Sequence, residues 1–471
     1  MTPPARRGAS PRRPIAGSRS GQAPASAAAP GVAGAAPPLG VPGPPLGVPG
    51  PPLGVPGAPL GVPGADEVLR RLASGGAQVA RRTVREVARH TPILSSTSLS
   101  ERCGGRVVLK AENLQRTGSF KIRGAINKLS TLQGATLVVA GSAGNHGQSL
   151  AYAARARGLD CEVFMPIEAP VAKVAAVEAF GGVVHLQGES VDECVAAARA
   201  RSAQAGAVFV HPFDDVDVIL GQATLGLELL EDVEQLAQVV IPVGGGGLIA
   251  GVAGVVKQAS PATRVVGVQV DACAPYPQAL REGAPATFQA RPTIADGIAI
   301  KRPGEITLAL VRRLVDEIVV VSEEEIADAM VWLLERSKLV VEGGGAAGVA
   351  ALLAGRVAPA AHGSTVVVLS GGNVDPGLLA AVAHRHETLM GRRLRLFTRI
   401  SDRPGGLAAL LTQIARAGGN VVQADHVREA VQLHVRETGI EIALETRGRE
   451  HGERIVAALQ AAGYEVRRLD P

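Results

Sequence analysis

Short runs of Val, Ile and Leu alternate with alanine-rich stretches through the middle of the chain, from residue 66 to about residue 390. Few polar residues interrupt these runs, which is typical of strands that are covered on both faces. The alternation with helical segments therefore predicts a doubly wound, mainly parallel α/β sheet. Helical offsets of the apolar residues also predict a helix in residues 66–89. The predicted strands are residues 106–109, 136–140, 160–165, 183–186, 207–210, 239–243, 264–269 and 365–369.

The pattern changes near Gly391, where a second and smaller unit begins. Residues 394–400 alternate as in a half-exposed strand, and a helical run at 408–417 ends at Gly418 and Gly419. The order βαββαβ predicts a ferredoxin-like domain at residues 393–471. Its remaining elements are predicted strands at 421–428, 439–445 and 464–469 and a helix at 450–462.

The first 65 residues have a composition of their own. A seven-residue unit, Leu-Gly-Val-Pro-Gly-Pro-Pro, begins at Leu39 and recurs with small changes from Leu46, Leu53 and Leu60. Glycine does not occupy every third position, so this is not a collagen repeat. The segment cannot bury enough apolar surface to offset its ordering entropy, which predicts a disordered tail. The alternatives are a partner-docking arm and a wrongly assigned start codon.

Composition narrows the classes of partner. Apolar residues make up 46% of the chain, but no stretch approaches the ~18–20 uninterrupted apolar residues of a membrane span, so we expect no membrane contact. The net charge of +5 comes partly from arginines of the tail, and no basic stripe with aromatic residues follows. We therefore expect no nucleic-acid partner. Scattered cysteines predict buried thiols in a reducing cytoplasm; they are Cys103, Cys161, Cys194 and Cys273.

Lys121 is the first candidate for chemistry. It follows the aromatic Phe120 and precedes small and apolar residues, at the point where a loop gives way to a predicted helix. A lysine in such a semi-apolar setting can lose its proton and attack a carbonyl group. The position of Lys121 therefore indicates a Schiff-base site.

A glycine run follows the predicted strand 239–243. The run consists of Gly244, Gly245, Gly246 and Gly247, and it is followed by Leu248 and a helix of small residues. Their backbone N–H groups can converge at the start of that helix, which makes the run a candidate phosphate cradle. A plain tight turn is the alternative. No Lys-Ser or Lys-Thr pair follows, which argues against a nucleotide P-loop.

Two further turns follow predicted strands. The first turn follows strand 136–140 and opens an alanine-rich helix; it contains Ser142, Gly144, Asn145 and His146. Its small and polar residues suit an anionic group such as a substrate carboxylate. The alternative for this turn is a helix N-cap with a satisfied histidine. Ser370 follows strand 365–369, and the carboxyl ends of parallel strands border the crevice in which such sheets bind ligands. Together with Lys121, these turns match what pyridoxal 5'-phosphate needs.

In order and spacing, these motifs resemble those of the fold-type II pyridoxal-phosphate enzymes, and specifically the threonine dehydratases, over residues 66–388. The resemblance implies a two-lobed fold with mainly parallel sheets and a small lobe inserted at about residues 115–217. Further segments that carry it are residues 91–92, 110–113, 221–224, 295–299 and 342–346. The implied roles are cofactor attachment for Lys121, ring contact for Phe120, a hydrogen bond to the ring hydroxyl for Asn145, phosphate binding for Gly244, Gly245, Gly246, Gly247 and Leu248, and a place at the pyridine nitrogen for Ser370.

Two departures from related families narrow the expected chemistry. Serine racemases, which resemble this sequence, carry a serine in the anion loop as the acid/base on the opposite face, and here that position is Ala143. An alanine cannot transfer a proton, which favours dehydration over racemisation. Relatives with a divalent cation have acidic residues in the segment that follows the strand at residues 267–270. Gln269, Cys273 and Pro275 stand there in this chain, so no metal site is predicted.

The resemblance implies a reaction as well. Lys121 would remove the α-proton of L-threonine, the β-hydroxyl would leave, and hydrolysis would give 2-oxobutanoate and ammonia. A neutral serine at the ring nitrogen favours such an elimination over transamination. Some activity on L-serine is expected, and the reaction would serve isoleucine synthesis or threonine breakdown. The alternatives are a serine dehydratase or racemase-like enzyme and a catalytically silent amino-acid sensor.

Residues 393–471 resemble an ACT domain. In such domains the turn between the first strand and the first helix, here residues 403–407, often binds an amino acid. The resemblance implies an amino-acid effector, and contacts between subunits are the alternative role. A single unit differs from the paired regulatory domain of many isoleucine-sensitive dehydratases, so inhibition by isoleucine is left open. We expect a cytoplasmic homo-oligomer, either a tetramer or a dimer.

Overall fold

The computed structural model describes residues 48–49, 61–428 and 436–469, except for the side chains of residues 48, 49 and 205. Most of the predicted tail lies outside the described residues, and its predicted limit at residue 65 stays a prediction. The first helix begins at Pro63, whose fixed φ suits the first turn, and Ala65 in that turn is completely buried. Within the range predicted to be disordered, Val48–Pro49 pairs as a short strand at a sheet edge.

Strands and helices alternate through most of the described chain. The strands are β1 (Val48–Pro49), β2 (Ile93–Ser95), β3 (Val107–Lys110), β4 (Leu137–Gly141), β5 (Asp160–Met165), β6 (Val183–Leu186), β7 (Val208–Phe209), β8 (Leu236–Pro242), β9 (Arg264–Val270), β10 (Glu317–Val321), β11 (Ser364–Val368), β12 (Arg393–Ser401), β13 (Asn420–Val427), β14 (Glu437–Glu445) and β15 (Val466–Arg468). The helices are α1 (Pro63–Ala73), α2 (Gly76–Val87), α3 (Thr97–Cys103), α4 (Lys121–Ser130), α5 (Asn145–Arg157), α6 (Val171–Ala179), α7 (Val191–Ala205), α8 (Val216–Asp232), α9 (Gly247–Ala259), α10 (Tyr276–Glu282), α11 (Glu305–Leu314), α12 (Glu323–Trp332), α13 (Gly343–Leu353), α14 (Pro376–Leu389), α15 (Gly406–Arg416) and α16 (Arg449–Ala461). Short 3₁₀ turns lie at Glu112–Leu114 and Asp296–Ile298, and a π-helical turn, Leu333–Ser337, extends α12.

The larger sheet has the strand order β1-β10-β9-β8-β11-β3-β2. Its five inner strands are parallel, and the two edge strands run antiparallel to their neighbours. Every residue of β3 and of β11 is buried, as expected for strands with helices on both faces. We call this sheet and its helices the large lobe.

The part of the chain between β3 and β8 forms a second, separate sheet. It has the order β6-β5-β4-β7, and all its pairs are parallel. We call these strands and helices α5 to α7 the small lobe. They fall within the range predicted for an inserted lobe, and the domain limits themselves stay a prediction.

The last sheet belongs to the C-terminal unit. Elements β12, α15, β13, β14, α16 and β15 follow in the order βαββαβ, and the sheet order is β13-β14-β12-β15 with antiparallel pairs. Buried and exposed residues alternate along β12, because one face covers the unit's core and the other does not. Leu396, Leu410 and Ile442 are among the residues of that core.

The predicted fold class is confirmed. Each of the eight strands predicted in the main region is observed, with bounds that differ by at most three residues. Two strands of the main region, β2 and β10, were missed, in addition to β1 in the predicted tail. Three valines in β10 follow Ile318, so this strand has the β-branched composition of the predicted ones. The single helix predicted at 66–89 is two helices, α1 and α2, because Gly75 between them adopts a left-handed φ of 84°.

Candidate active site

A cavity of about 270 Å³ lies where several strands of both lobes end. The turns after β4 and β8 and the residue Ser370 after β11 all reach it, as the carboxyl ends of parallel strands do in open α/β sheets. Each site residue predicted from the sequence lines this cavity: Phe120, Lys121, Ser142, Ala143, Gly144, Asn145, His146, Gly244, Gly245, Gly246, Gly247, Leu248 and Ser370. Their individual roles stay predictions.

Lys121 is the first residue of α4 and projects into the cavity. Its Nζ donates a hydrogen bond to the carbonyl of Pro212 at 2.9 Å and lies 5.2 Å from the centre of the Phe120 ring. Burial lowers the pKa of Lys121 to about 8, and the negative charge of Glu342 limits the shift. The amine is therefore close to half neutral near pH 8, which suits a nucleophile or a base.

The helix that carries Lys121 is anchored by buried charges. The guanidinium of Arg123 donates to both carboxylate oxygens of Glu112 at 2.8 Å and to those of Glu228 at 2.7 and 2.9 Å. Lys110 adds a 2.7 Å ion pair with Glu228. Burial alone would raise the pKa of Glu228, but these two cations hold it below its ordinary value. The pairs fix the start of α4 against β3 and α8, and with it the position of Lys121.

The glycine run after β8 is packed so closely that side chains have no room. A Cβ at Gly245 would lie 2.2 Å from the Phe213 ring, and one at Gly246 would lie 1.9 Å from the Tyr276 hydroxyl. Gly246 also has a φ of 90°, and α9 begins at the next residue. The run therefore presents backbone N–H groups at a helix start, which is a binding arrangement for a phosphate.

The anion loop after β4 is built by Ser142. Its hydroxyl oxygen accepts from the backbone N–H of Gly144 at 3.2 Å and of Gly147 at 3.0 Å, which closes the turn ahead of α5. The Nε2 of His146 is engaged by the carbonyl of Val210 at 3.0 Å. Burial, and then the charge of Lys121, lower the pKa of His146 to about 3, so its ring is neutral. The hydrogen bond of His146 is compatible with the alternative of a helix N-cap with a satisfied histidine, and the binding of a substrate carboxylate by this loop stays a prediction.

Asn145 is held from two sides. Its Nδ2 donates to Glu342 at 2.8 Å, and its Oδ1 accepts from Asn373 at 2.7 Å. Glu342 is buried, and burial, followed by the charge of Asp296, raises its pKa to about 7. The amide of Asn145 therefore has a fixed orientation at the wall of the cavity.

Several residues of the cavity had no role in the sequence analysis. Asp296, Gln222 and Glu342 lie inside the motif segments, whereas Lys173 lies outside them. Lys173 of the small lobe forms an ion pair with Asp296 of the large lobe at the rim. One signal could have indicated Glu342, because it is the single charged residue in the apolar stretch of residues 339–347.

The cavity suits an aromatic ligand that carries a phosphate and an aldehyde. The glycine run offers backbone N–H groups at the start of α9, Phe120 offers a ring face, and Lys121 offers an amine of lowered pKa. Among the described residues, the buried Oε1 of Gln222 has no hydrogen-bond partner, and this residue also lines the cavity. The residues present therefore fit pyridoxal 5'-phosphate. No group of three or more acidic, His or Cys residues that could hold a metal ion occurs in the described part of the chain.

Comparison with known protein families shows which family this chain belongs to. The family model "Pyridoxal-phosphate dependent enzyme" matches residues 84–371, which contain every predicted site residue. The chain belongs to the family of pyridoxal-phosphate-dependent enzymes. Lys121, the glycine run and the anion loop of this pyridoxal-phosphate-dependent enzyme all lie inside the matched range.

Relatives of this pyridoxal-phosphate-dependent enzyme include an L-threonine ammonia-lyase from Thermotoga maritima. It is 44% identical over 391 residues, which cover 82% of this chain and 97% of the relative. Among solved structures, the processed threonine deaminase isoform 2 of Solanum lycopersicum has a TM-score of 0.66 and 34% identity, covering 73% of this chain and 98% of its own. A maize serine racemase has a TM-score of 0.63 and 33% identity, with coverages of 67% and 97%.

Proposed function

We propose that this chain is a threonine ammonia-lyase that uses pyridoxal 5'-phosphate to convert L-threonine into 2-oxobutanoate and ammonia. One observation carries the proposal: a lysine of lowered pKa lies in one cavity with a glycine cradle and an anion loop. The similarity to the Thermotoga maritima L-threonine ammonia-lyase supports the choice of substrate. The reaction removes water across the Cα–Cβ bond and then adds water at Cα, so that ammonia leaves.

Lys121 is the proton-transfer group in this proposal. As a neutral amine its Nζ takes the α-proton of the substrate; burial lowers its pKa to about 8, and the hydrogen bond to Pro212 fixes its place in the cavity wall. When bound, the cofactor supplies the electron sink that stabilises the charge left on the α-carbon. Arg123 and its carboxylate partners keep the start of α4 in place during these events.

The other residues bind and orient. Backbone N–H groups of Gly244 to Gly247 would hold the phosphate, with Leu248 beside them, and the loop from Ser142 to His146 would hold the substrate carboxylate. Phe120 would lie against the pyridine ring. Ser370 would face the ring nitrogen with a neutral hydroxyl, which favours elimination over transamination.

Ala143 supports dehydration rather than racemisation. It lies in the cavity beside the anion loop and carries no group that could return a proton to the opposite face. The resemblance to a maize serine racemase makes this residue the sharpest test between the two activities. We expect Ala143→Ser to form measurable D-serine from L-serine, with Ala143→Gly as the control that adds no hydroxyl. If neither the wild type nor Ala143→Ser forms D-serine, Ala143 does not decide between these reactions.

The main experiment compares the kcat/KM of the purified full chain for L-threonine and L-serine. We expect 2-oxobutanoate from threonine, with serine slower by about 10–200-fold, since one methyl group rarely contributes more. Lys121→Ala should lose the visible absorbance of the bound cofactor. Its rate of threonine deamination should fall by about 10²–10⁴-fold. Lys128→Ala on the same helix is the matched control and should keep both. A colourless wild-type protein, or a coloured one that leaves threonine unchanged, would refute the proposal.

The C-terminal unit is proposed to be an ACT domain that binds an amino-acid effector at residues 403–407, in a homo-oligomer of two or four subunits. In its favour is the turn before α15, where Gly405 has a φ of 89° and the helix start offers backbone N–H groups. The kcat/KM comparison repeated with isoleucine and with valine tests the effector, and a lack of any response would argue for a role in subunit contacts alone. None of the described helices is long and apolar enough to cross a membrane; a cytoplasmic location stays part of the proposal.

A further inference from the structure

The buried carboxyl group of Glu342 has no part in the proposed function, although it lines the cavity. Glu342 is the N-cap residue of α13 and is 6% exposed. A carboxyl group in such a place is costly unless something uses or compensates it. Its closest partner is Asn145, whose Nδ2 donates to Glu342 Oε1 at 2.8 Å.

Asn373, Thr117 and Gly371 fix the geometry of the hydrogen bond between Asn145 and Glu342. Asn373 donates from its Nδ2 to Asn145 Oδ1 at 2.7 Å and to the Thr117 carbonyl at 2.8 Å, so the oxygen side of the Asn145 amide is occupied. Glu342 occupies one hydrogen of the nitrogen side. The second hydrogen of Nδ2 is the one left to face a ligand. Gly371 packs against the carboxyl so tightly that an added Cβ would lie 2.2 Å from Oε1, which keeps Glu342 in place.

We propose that Glu342 is a positioning residue that acts through Asn145: it orients the Asn145 amide toward the ring hydroxyl of the cofactor, and its own charge sets whether that hydroxyl is ionised. The proposal rests on the proposed cofactor-binding role of the cavity and adds a control on the charge of the cofactor. A carboxylate beside the amide disfavours a second negative charge on the hydroxyl oxygen, whereas a protonated carboxyl does not.

The charges around Glu342 give the pH range of this effect. Burial, and then the negative charge of Asp296, raise the pKa of Glu342 to about 7, while the Asn145 hydrogen bond and Lys173 act in the opposite direction. Lys121 also faces Glu342 from α4. The carboxyl is therefore protonated below about pH 7 and charged above it. As Glu342 releases its proton to solvent above that pH, the hydroxyl of the bound cofactor should take up the proton of the nitrogen that links Lys121 to the cofactor, and so lose its negative charge.

The absorbance of the cofactor-loaded full chain tests the proposal in the absence of any amino acid. The ionised and neutral hydroxyl forms absorb at different wavelengths, so their ratio can be followed from pH 5.5 to 8.5. We expect the ratio in the wild type to change about tenfold with a midpoint near 7, because a like charge a few ångströms away shifts a pKa by about one unit. In Glu342→Gln, which keeps the shape but cannot ionise, the ratio should be constant over this range.

Two further variants sharpen the test. Asp296→Asn removes the charge that raises the pKa of Glu342, so the midpoint should move to lower pH; Glu335→Gln, a change at an exposed ion pair with Arg392, should leave the midpoint unchanged. Glu342→Ala should weaken pyridoxal 5'-phosphate binding about two- to tenfold, since Asn145 loses its acceptor. If Glu342→Gln does not fold, the Asp296→Asn shift decides.

The outcomes separate this inference from the proposed function. A wild-type titration that Glu342→Gln reproduces with the same midpoint and amplitude would overturn the role of Glu342, and so would an Asp296→Asn midpoint equal to that of the wild type. Neither result touches threonine deamination, which is measured separately. Conversely, a loaded enzyme that titrates as expected and leaves threonine unchanged would overturn the function and keep the inference.

Discussion

At the scale of single residues, the protonation of Lys121 matters most. An exposed lysine is almost fully charged at neutral pH and cannot attack a carbonyl group. Here burial disfavours the charged form and brings the pKa to about 8. Burial also lowers the pKa of His146 to about 3, so its neutral ring is a much weaker base than the amine of Lys121.

The rate at which the cofactor-free protein captures pyridoxal 5'-phosphate should follow this pKa. The amine must be neutral to react, so the rate should rise as the pH increases through about 8 and level off above it, rather than near the usual value for lysine. Stopped-flow absorbance between pH 6.5 and 9.5 measures the rate. A profile that is still rising tenfold per pH unit at pH 9.5 would show that burial does not lower the pKa in solution.

At the scale of elements, the glycine run before α9 depends on what packs behind it. Gly246 combines a left-handed φ of 90° with a close approach to Tyr276, whose hydroxyl donates to the carbonyl of Gly245 at 3.1 Å. The turn is therefore shaped by the large lobe behind it as much as by its own sequence. This explains why a run of glycines alone could not distinguish a phosphate cradle from a plain turn.

Gly246→Ala should lower the affinity for pyridoxal 5'-phosphate at least about tenfold, because the new Cβ would lie 1.9 Å from the Tyr276 hydroxyl and add about 1–3 kcal/mol of backbone strain. The control is Gly104→Ala, at a φ of 74° with no atom within 4 Å of the added Cβ. It should reduce the free energy of unfolding without changing the affinity. Fluorescence titration with the cofactor measures the difference, and equal affinities in both variants would contradict the cradle.

The anchor of α4 allows a second prediction at this scale. Arg123→Met leaves Glu112 and Glu228 without their shared cation and should lower the free energy of unfolding by about 3–5 kcal/mol. Arg70→Met breaks an exposed pair with Glu67 and should cost less than about 1 kcal/mol. Urea unfolding of both variants gives the comparison. A small effect for Arg123→Met would mean that the buried pairs do not hold α4.

At the scale of the whole molecule, the cavity lies between two lobes that come from different parts of the chain. Lys173 of α6 pairs with Asp296 across the rim, and Lys301 lies 3.8 Å from Asp192 of α7. The two pairs have opposite polarity, so each lobe contributes one cation and one anion. They would favour a closed arrangement of the lobes around a ligand.

Lys173→Asp and Asp296→Lys should each raise the KM for threonine, by up to about fivefold, since exposed pairs contribute less than about 1 kcal/mol. The double variant, which restores a pair of reversed polarity, should recover much of the loss. This design separates a contact between lobes from a direct contact of Lys173 with the substrate carboxylate. In the second case the double variant would keep the high KM of Lys173→Asp.

Much of this protein follows from its sequence. Unbroken apolar runs identified the parallel strands, and those of the large lobe are mostly buried because a strand covered on both faces tolerates few polar residues, whereas the edge strand β6 is largely exposed. The strand ends then indicated Lys121, the glycine run, the anion loop and Ser370, since parallel strands present their carboxyl ends on one side. All of these residues line one cavity.

Only the tertiary structure decided which distant residues act on those motifs. Lys173 reaches the cavity from α6, Asn373 fixes the amide of Asn145, and Glu342 lies 197 residues from Asn145 in sequence yet shares a hydrogen bond with it. Burial decided the charge states as well: it makes Lys121 a weaker base, keeps His146 neutral and raises the pKa of Glu342. The physical reason is that periodicity and turn motifs are local, whereas desolvation and electrostatic interaction depend on what the folded chain brings within a few ångströms.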